Sequence, residues 1–205
     1  MSTPAVAEHP LVSYLTLRKV IGFLGVLFPI AMMLWGWFVY GKLLGSISDY
    51  HILPTGVVFA GVLWTIAWFL FAYRGYDRRD DRATDLACVL ALIVSLAPNT
   101  APGIVGKIHL ASAAVLFLTF AYISYFLFTK SSGDMTPMKV LRNRVYRVCG
   151  VAIVLFIVLI ALYKWLLEKR GVLASLEPVF WLETFCLWAF GVSWSVKGET
   201  ILKDR

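Results

Sequence analysis

The stretch YRVCGVAIVLFIVLIALYKWLL, residues 146–167, decides the fold class of this chain. No charged residue lies between Arg147 and Lys164, and aliphatic side chains fill most of that interval. A helix needs about 20 apolar residues to cross the hydrocarbon core of a bilayer, which is about 30 Å thick. The stretch therefore predicts a membrane-spanning helix.

Five further apolar runs repeat this pattern along the chain. Of the 205 residues, 60% are hydrophobic and 15% are charged, whereas a soluble domain has about 25% charged residues. This composition excludes a disordered chain, a disulfide scaffold and an ordinary nucleic-acid-binding domain, so no nucleic-acid partner is expected. We predict an all-α membrane protein with one domain, a bundle of six transmembrane helices at residues 20–44, 54–73, 83–98, 104–129, 146–167 and 175–197.

The distribution of positive charge predicts the orientation of the bundle. If both termini are cytoplasmic, most of the 19 lysines and arginines lie inside, as the positive-inside rule requires. The exceptions are Lys42, Lys107, Lys164, Lys169 and Arg170. The run at 83–98 is just below the usual spanning length, and a re-entrant segment is the alternative. We expect it to cross, because the charge pattern holds only then, and we expect a multi-pass protein of the inner or plasma membrane.

Two ionisable residues inside the predicted spans are the first candidates for a functional site. His109 lies roughly 7–8 Å into the fourth span and Glu183 roughly 10 Å into the sixth, both from the outer face. Such groups cost about 2.5–3.5 kcal/mol at a helix centre on insertion scales, and they often mark function. Asp49 and His51 follow the first span on the same side. We expect these four residues to share a polar pocket in the outer half of the membrane.

Imidazole and carboxylate groups serve as general acids and bases and also as zinc ligands. Zinc is possible at this pocket but not favoured, because the sequence has no HxxxH or HExxH spacing. A structural alternative is that Glu183 and His109 hydrogen-bond neighbouring helices. Asp49 and His51 are then solvated loop residues.

Two charged segments are expected at the inner face. RNRVYRVCG, residues 142–150, is cationic and amphipathic, which favours contact with anionic headgroups at the cytoplasmic face. YRGYDRRDD, residues 73–81, mixes both signs and is expected to be a solvated loop. Three small residues near the end of the last span, Gly191, Ser193 and Ser195, predict close helix packing.

Several short motifs carry a resemblance to a known group of proteins. They are ISDYH at 47–51, FAYRGYD at 71–77, His109 as the lone histidine of the fourth span and SWSVKGE at 193–199. With them the chain resembles an uncharacterised bacterial family of six-helix integral membrane proteins and, more loosely, the DRAM/Frag-type superfamily. This resemblance implies a protein associated with lipid or membrane homeostasis, without an assigned reaction. The chain is less similar to the ceramidase-like membrane hydrolases, because it lacks their late HxxxH pair.

Three functions fit these observations. The leading hypothesis is an integral membrane protein that binds or senses lipid through the outer polar pocket. The second is a membrane-embedded hydrolase or transferase that acts on a lipid headgroup there. The third is a small proton-coupled transporter that uses Glu183 and His109, for which discontinuous helices and a midplane site are expected.

Overall fold

The computed structural model describes residues 13–52, 54–131, 133 and 136–203. Within these residues the chain is helical and contains no β-strand. The helices are α1 Tyr14–Tyr40, α2 Thr55–Ala72, α3 Arg78–Leu96, α4 Ile104–Tyr122, α5 Pro137–Leu166 and α6 Pro178–Lys197. A five-residue π turn, Ile123–Leu127, prolongs α4, and a 3₁₀ turn, Ile47–His51, connects α1 with α2.

Local capping residues set helix boundaries that differ from the predicted spans. The Ser13 hydroxyl accepts a hydrogen bond from the Thr16 N–H (3.1 Å), and α1 therefore begins before residue 20. Thr136 caps α5 in the same way, and Pro137 takes the first helical position. The segment RNRVYRVCG is consequently part of α5. The helix therefore begins nine residues before the predicted span 146–167.

The helices form a closed ring. Each helix packs against its neighbours in the chain, and α6 returns to α1. The α1–α6 contact is the closest, because a Cβ atom on Gly22 would lie 2.7 Å from the Ser195 nitrogen and one on Gly191 would lie 2.9 Å from the Gly22 oxygen. The Ser193 hydroxyl lies 2.8 Å from the Ser124 hydroxyl on the π turn. The prediction of close packing by these small residues is confirmed.

The ring has two distinct ends. We call one the terminal end, because α1 begins and α6 ends there, and the other the turn end, because it carries the turn Ile47–His51. α3 runs from one end to the other: Asp80 pairs with Lys130 at the terminal end, and the Ser95 carbonyl accepts from His51 at the turn end.

Five helices are long and apolar enough to cross a membrane, which is typical of a multi-pass membrane protein. They are Tyr14–Tyr40, Thr55–Ala72, Ile104–Leu127, Pro137–Leu166 and Ala174–Lys197. α3, which contains the predicted span 83–98, is not among them. Its first half carries charged residues, which lower its mean hydropathy: Arg78, Arg79, Asp80, Asp81, Arg82 and Asp85. Its length nevertheless matches that of α2, and its crossing stays a prediction.

The segment 73–81 is largely exposed, as its charge suggested, but Tyr73 and Asp80 are buried and α3 begins at Arg78. Asp77 caps α3 by accepting from the Arg79 N–H (2.8 Å), and Asp80 completes a capping box. Asp80 is buried and also accepts from the Tyr76 N–H (2.6 Å). These bonds fix the chain between α2 and α3.

Candidate functional site

The 3₁₀ turn Ile47–His51 closes the ring at the turn end. The Ser46 hydroxyl caps it by accepting from the Asp49 N–H (3.1 Å). Ile47 and Tyr50 are buried, and the Tyr50 hydroxyl accepts from the Leu44 N–H (3.1 Å). Burial raises the pKa of Tyr50 above its ordinary value, so the phenol stays protonated. Gly36 is required beneath this ring, because a Cβ atom there would collide with it.

His109 holds the turn from α4. The side chain is fully buried, with Nδ1 2.6 Å from the Ala97 carbonyl oxygen and Nε2 2.9 Å from the Ser48 hydroxyl. A carbonyl oxygen can only accept, so Nδ1 of the neutral ring carries the hydrogen. Nε2 therefore accepts from the Ser48 hydroxyl, in the relation of a base to a nucleophile.

Glu183 holds the same turn from α6. Its Oε2 accepts from the Ile47 N–H at 2.7 Å. Glu183 and His109 thus bind adjacent residues of one turn, although no hydrogen bond joins them directly within the described chain. The two groups are linked through this turn, by the Ile47 N–H and the Ser48 hydroxyl.

Asp49 lies on the exposed side of the turn. Its Oδ1 accepts from the Asn99 Nδ2 at 2.6 Å, which ties the turn to the connection between α3 and α4. The other amide atom, Asn99 Oδ1, is buried and has no hydrogen-bond partner among the residues that the structure describes. A buried acceptor of this kind is costly unless a donor reaches it. It therefore favours a ligand with N–H or O–H groups.

His51 points away from this group. Its Nε2 donates to the Ser95 carbonyl at 2.7 Å, and its ring lies 5.4 Å from that of Phe59, measured between centroids. These contacts attach the turn to α3 and α2. The predicted pocket thus gathers Asp49 and Glu183 directly and His109 through Ser48, whereas His51 has a structural contact instead.

A polar cleft of about 260 Å³ opens beside the turn, and we call it the acidic cleft. Four carboxyl groups line it, together with one ammonium group, that of Lys164, which pairs with Glu168 at 2.9 Å. The carboxyl residues are Asp49, Glu168, Glu177 and Glu183. This excess of acceptors favours a cationic or hydrogen-bond-donating ligand.

The acidic cleft shares two wall residues, Ser48 and Glu183, with an apolar cavity inside the ring. That cavity measures about 40 Å³. At about 10–15 Å³ for each water, it has space for about three waters. It is too small to hold an acyl chain, so the apolar part of an amphiphilic ligand requires another surface.

Such a surface lies between the same two helices, α4 and α5, that contribute to the cleft. Leu110 of α4 and Tyr163 of α5 line the acidic cleft. Further along the same two helices, a groove of about 680 Å³ is bordered by apolar residues, among them Leu118, Val154 and Val158. Leu118 lies about 12 Å along α4 from Leu110, at 1.5 Å per residue. We call this the α4–α5 groove.

Metal binding gains no support from the arrangement of side chains. In the described part of the chain, no group of three or more His, Cys, Asp or Glu side chains is placed to hold a metal ion. The two ring nitrogens of His109 are both engaged by oxygen atoms, and His51 donates to a backbone carbonyl. His51 and His109 therefore act in this structure as hydrogen-bonding groups.

Sequence reasoning missed part of the cleft. Lys164 and Glu168 lie near the end of the fifth span, where the sequence identified charge only as a sign of topology. Glu177 precedes α6 with a left-handed backbone (φ 46°), as does Leu173 (φ 62°). Such conformations cost about 1–3 kcal/mol in a residue with a side chain. No local sequence pattern predicts them here.

No family model, no curated protein and no solved structure matches this chain. The resemblance drawn from ISDYH, FAYRGYD and SWSVKGE therefore stays a prediction. The function has to be argued from the side chains themselves.

Proposed function

We propose that this protein binds a membrane lipid, with the headgroup in the acidic cleft and an acyl chain along the α4–α5 groove. The observation that carries the proposal is that both surfaces are lined by residues of the same two helices, α4 and α5. A polar site followed by an apolar groove suits an amphiphile. A soluble polar ligand would leave the apolar groove unoccupied, and an acyl chain without a headgroup would leave the polar cleft unoccupied.

The chemistry of the cleft narrows the class of headgroup. Asn99 Oδ1 needs a donor, and carboxyl groups outnumber the single ammonium group of Lys164. A primary amine offers three N–H donors and a positive charge, whereas a quaternary ammonium offers charge without donors. The proposed ligand is accordingly a lipid with a primary amine in its headgroup.

A lipid-binding measurement tests this proposal. The purified protein is titrated with phosphatidylethanolamine and with phosphatidylcholine, and bound lipid is counted by native mass spectrometry. We expect preference for phosphatidylethanolamine, and its loss in Glu183→Gln. Asp85→Asn is the matched control, because Asp85 pairs with Arg74 at the opposite end (2.8 Å). Equal binding of both lipids by the unaltered protein contradicts the proposal.

The groove has its own test. Val154→Trp places a large side chain in the α4–α5 groove, and we expect it to weaken lipid binding. Val148→Trp is the control on the same helix, since Val148 is exposed and does not line the groove. Equal weakening by both variants would show that the groove has no special role.

The proposal includes an orientation, with the turn end outside and the terminal end in the cytoplasm. It is supported by the concentration of lysine and arginine at the terminal end. Crossing by α3 follows from its course between the two ends. The natural cysteines are buried, so a cysteine introduced at Lys42 or at Thr200 can be labelled selectively. Labelling of Thr200→Cys, and not of Lys42→Cys, from outside intact cells would contradict this orientation.

A second candidate function is hydrolysis or acyl transfer on a lipid headgroup. The observation that favours it is the hydrogen bond between Ser48 Oγ and His109 Nε2 (2.9 Å), at the wall of the acidic cleft. In this reaction Ser48 Oγ attacks an ester carbon while His109 Nε2 takes the hydroxyl proton. The C–O bond of the ester then breaks, and the departing alcohol takes that proton from His109.

A fluorophosphonate probe that labels activated serines distinguishes the two functions. A hydrolase should be labelled at Ser48, and Ser48→Ala should remove the label. Ser46→Ala is the control, because Ser46 caps the same turn without contacting His109. Lipid binding without labelling at Ser48 supports the binding protein and contradicts the hydrolase.

A further inference from the structure

The terminal end contains a second polar pocket, of about 370 Å³, which we call the cationic pocket. It lies between the first turns of α1, the start of α5 and the end of α6. Glu199 is the single carboxyl residue among its described lining residues. The cationic residues that line it are Arg18, Lys130, Lys139, Arg142 and Lys197.

Lys197 is the most unusual member of this group. The residue is 8% exposed, and its Nζ lies 4.8 Å from the ring centroid of Tyr76 and 5.1 Å from that of Phe128. Within the described part of the chain its ammonium has no hydrogen bond and no ion pair. A buried charge without an anionic partner is costly. Two aromatic faces compensate for part of that cost, and an anion in the pocket would compensate for more.

Arg18 adds a second incomplete set of bonds. Its guanidinium carbon lies 5.6 Å from the Tyr14 ring centroid and 5.4 Å from that of Tyr73. Its Nε is buried and has no hydrogen-bond partner among residues 13–52, 54–131, 133 and 136–203. The Arg18 guanidinium lies against two rings and its Nε–H is unpaired, so it can donate a hydrogen bond to an oxygen atom of a ligand.

The remaining cations are held in place around these two. Lys139 Nζ donates to the Phe128 carbonyl (3.1 Å), and Arg142 Nε donates to the Leu202 carbonyl (2.6 Å). Lys130 pairs with Asp77 and Asp80 (3.0 and 2.9 Å). An incoming anion is therefore expected to bind chiefly to Lys197 and to the unpaired Nε–H of Arg18.

We propose that the cationic pocket binds a phosphate group that carries an organic substituent. Arginine and lysine together are the usual partners of phosphate oxygens. The pocket volume falls in the range of about 300–1,000 Å³ found for small-molecule sites, which leaves room beside a phosphate. The phosphate comes from an anionic lipid headgroup or from a soluble phosphate ester, since the pocket lies where helices end and headgroups gather. This site is independent of the acidic cleft.

The test uses full-length protein in an uncharged detergent. Short-chain phosphatidic acid, glycerol 3-phosphate and inorganic phosphate are titrated separately, and thermal unfolding gives an apparent Kd for each. Phosphatidylcholine, whose phosphate charge is balanced by a quaternary ammonium, is the zwitterionic lipid control. Stabilisation by phosphatidic acid alone assigns the site to a lipid headgroup, and comparable stabilisation by glycerol 3-phosphate assigns it to a soluble ester.

Lys197→Met removes the charge and keeps the apolar stem, so it should weaken binding about tenfold or more. Arg18 is partly buried, and Arg18→Gln should also weaken phosphate binding. This variant provides the test if Lys197→Met does not fold. Arg147→Gln is the matched control, because Arg147 is an exposed cation on α5 outside the pocket. No binding of any phosphate, or equal weakening by Arg147→Gln, overturns the proposal.

Discussion

The acidic cleft and the cationic pocket lie at opposite ends of one ring of helices and have opposite chemistry. The cleft presents more carboxyl groups than cations, together with an unused amide oxygen. The pocket presents more ammonium and guanidinium groups than carboxylates. A single bundle thereby carries two polar sites of opposite charge. The difference shows that each ionisable residue in an apolar chain should first be placed at one of the two ends of the helix ring. Only then can a role be proposed for it.

The two sites also differ in how their side chains are held. At the turn end, His109 and Glu183 bind backbone or hydroxyl groups of neighbouring segments at 2.6–2.9 Å. At the terminal end, Arg18 and Lys197 lie against aromatic rings at 4.8–5.6 Å. Hydrogen bonds of the first kind fix direction, whereas ring contacts leave rotation free. The turn end should therefore tolerate substitution less well than the terminal end.

The largest effect is expected where both sites depend on the same scaffold. Gly191→Leu forces a side chain against Val26 and against the Gly22 backbone, at 2.7–2.9 Å from the first added atom. We expect a loss of about 3 kcal/mol or more, because backbone atoms cannot move aside. Both sites should be lost together, as measured by size-exclusion profile, Tm and both binding assays.

Gly61→Leu is the control for that substitution. A Cβ atom at Gly61 meets no atom within 4 Å, and leucine favours a helix more than glycine does. We expect Tm to stay the same or rise. An unchanged Tm in Gly191→Leu would show that the α1–α6 contact is not what supports the two ends.

A smaller effect should separate the ends. His109→Ala removes the bonds to Ala97 and Ser48 from a fully buried position, and about 2 kcal/mol of stability should be lost. Binding of phosphatidylethanolamine at the cleft should fail in the folded protein, whereas phosphatidic acid binding at the terminal end should remain. His51→Ala should lower Tm without changing cleft affinity, because His51 lies outside the cleft. Loss of both ligands in His109→Ala would refute the independence of the two sites.

A pH-dependent effect is expected at the terminal end. The Lys130 ammonium, together with the Arg79 N–H, lowers the pKa of Asp77 below its ordinary value, which is about 4. A lowered folded pKa means that the ion pair contributes fully above about pH 4 and is lost as the pH falls through the folded pKa. Asp77→Asn keeps the helix cap and removes the charge. Its Tm should fall less steeply than that of the parent between about pH 6 and about pH 3.

Because Asp77 is exposed at the surface, this difference should be small and should shrink in high salt. Asp85→Asn, which breaks the exposed pair with Arg74, is the comparison for a change of charge near the same end. A pH profile unaltered by Asp77→Asn would show that the Lys130 pair contributes nothing to stability.

The smallest effect on stability should come from the one cation in the acidic cleft. Lys164 and Glu168 are both about half exposed, so Lys164→Met should change stability by no more than about 0.5 kcal/mol. Affinity for phosphatidylethanolamine should nevertheless rise several-fold, because a competing positive charge is removed. Lys169→Met, outside the cleft, should change neither quantity. A fall in affinity for Lys164→Met would mean that the ammonium itself binds the headgroup.

The sequence predicted the helical membrane class because apolar runs of spanning length have few other interpretations. It located the helix starts less well, although Ser13 and the Thr136-Pro137 pair were visible as capping signals. These capping signals predict the helix starts only if the charged residues between the cap and the apolar span are also taken to be helical. The third run was singled out for its shortness, whereas α3 has 19 residues and differs from the other helices in the charges of its first half.

The site was predictable in kind and less so in detail. His109 and Glu183 stood out because ionisable groups inside spans are costly. That both would bind one 3₁₀ turn, and that Ser48 would lie between them, depends on how the turn enters the ring. No spacing rule carries that information. The cationic pocket was missed for a related reason: its members come from separate segments, each of which looked like an ordinary topological charge.

The closure of the ring by α1 and α6 has a consequence for biosynthesis. The first helix made must wait for the last before Gly22 meets Ser195 and before Ile47 meets Glu183. Until α6 has been synthesised, the turn end lacks the Glu183 carboxylate and the terminal end lacks Lys197. An intermediate that holds only α1 to α5 therefore exposes the face of α1 that α6 covers in the finished chain.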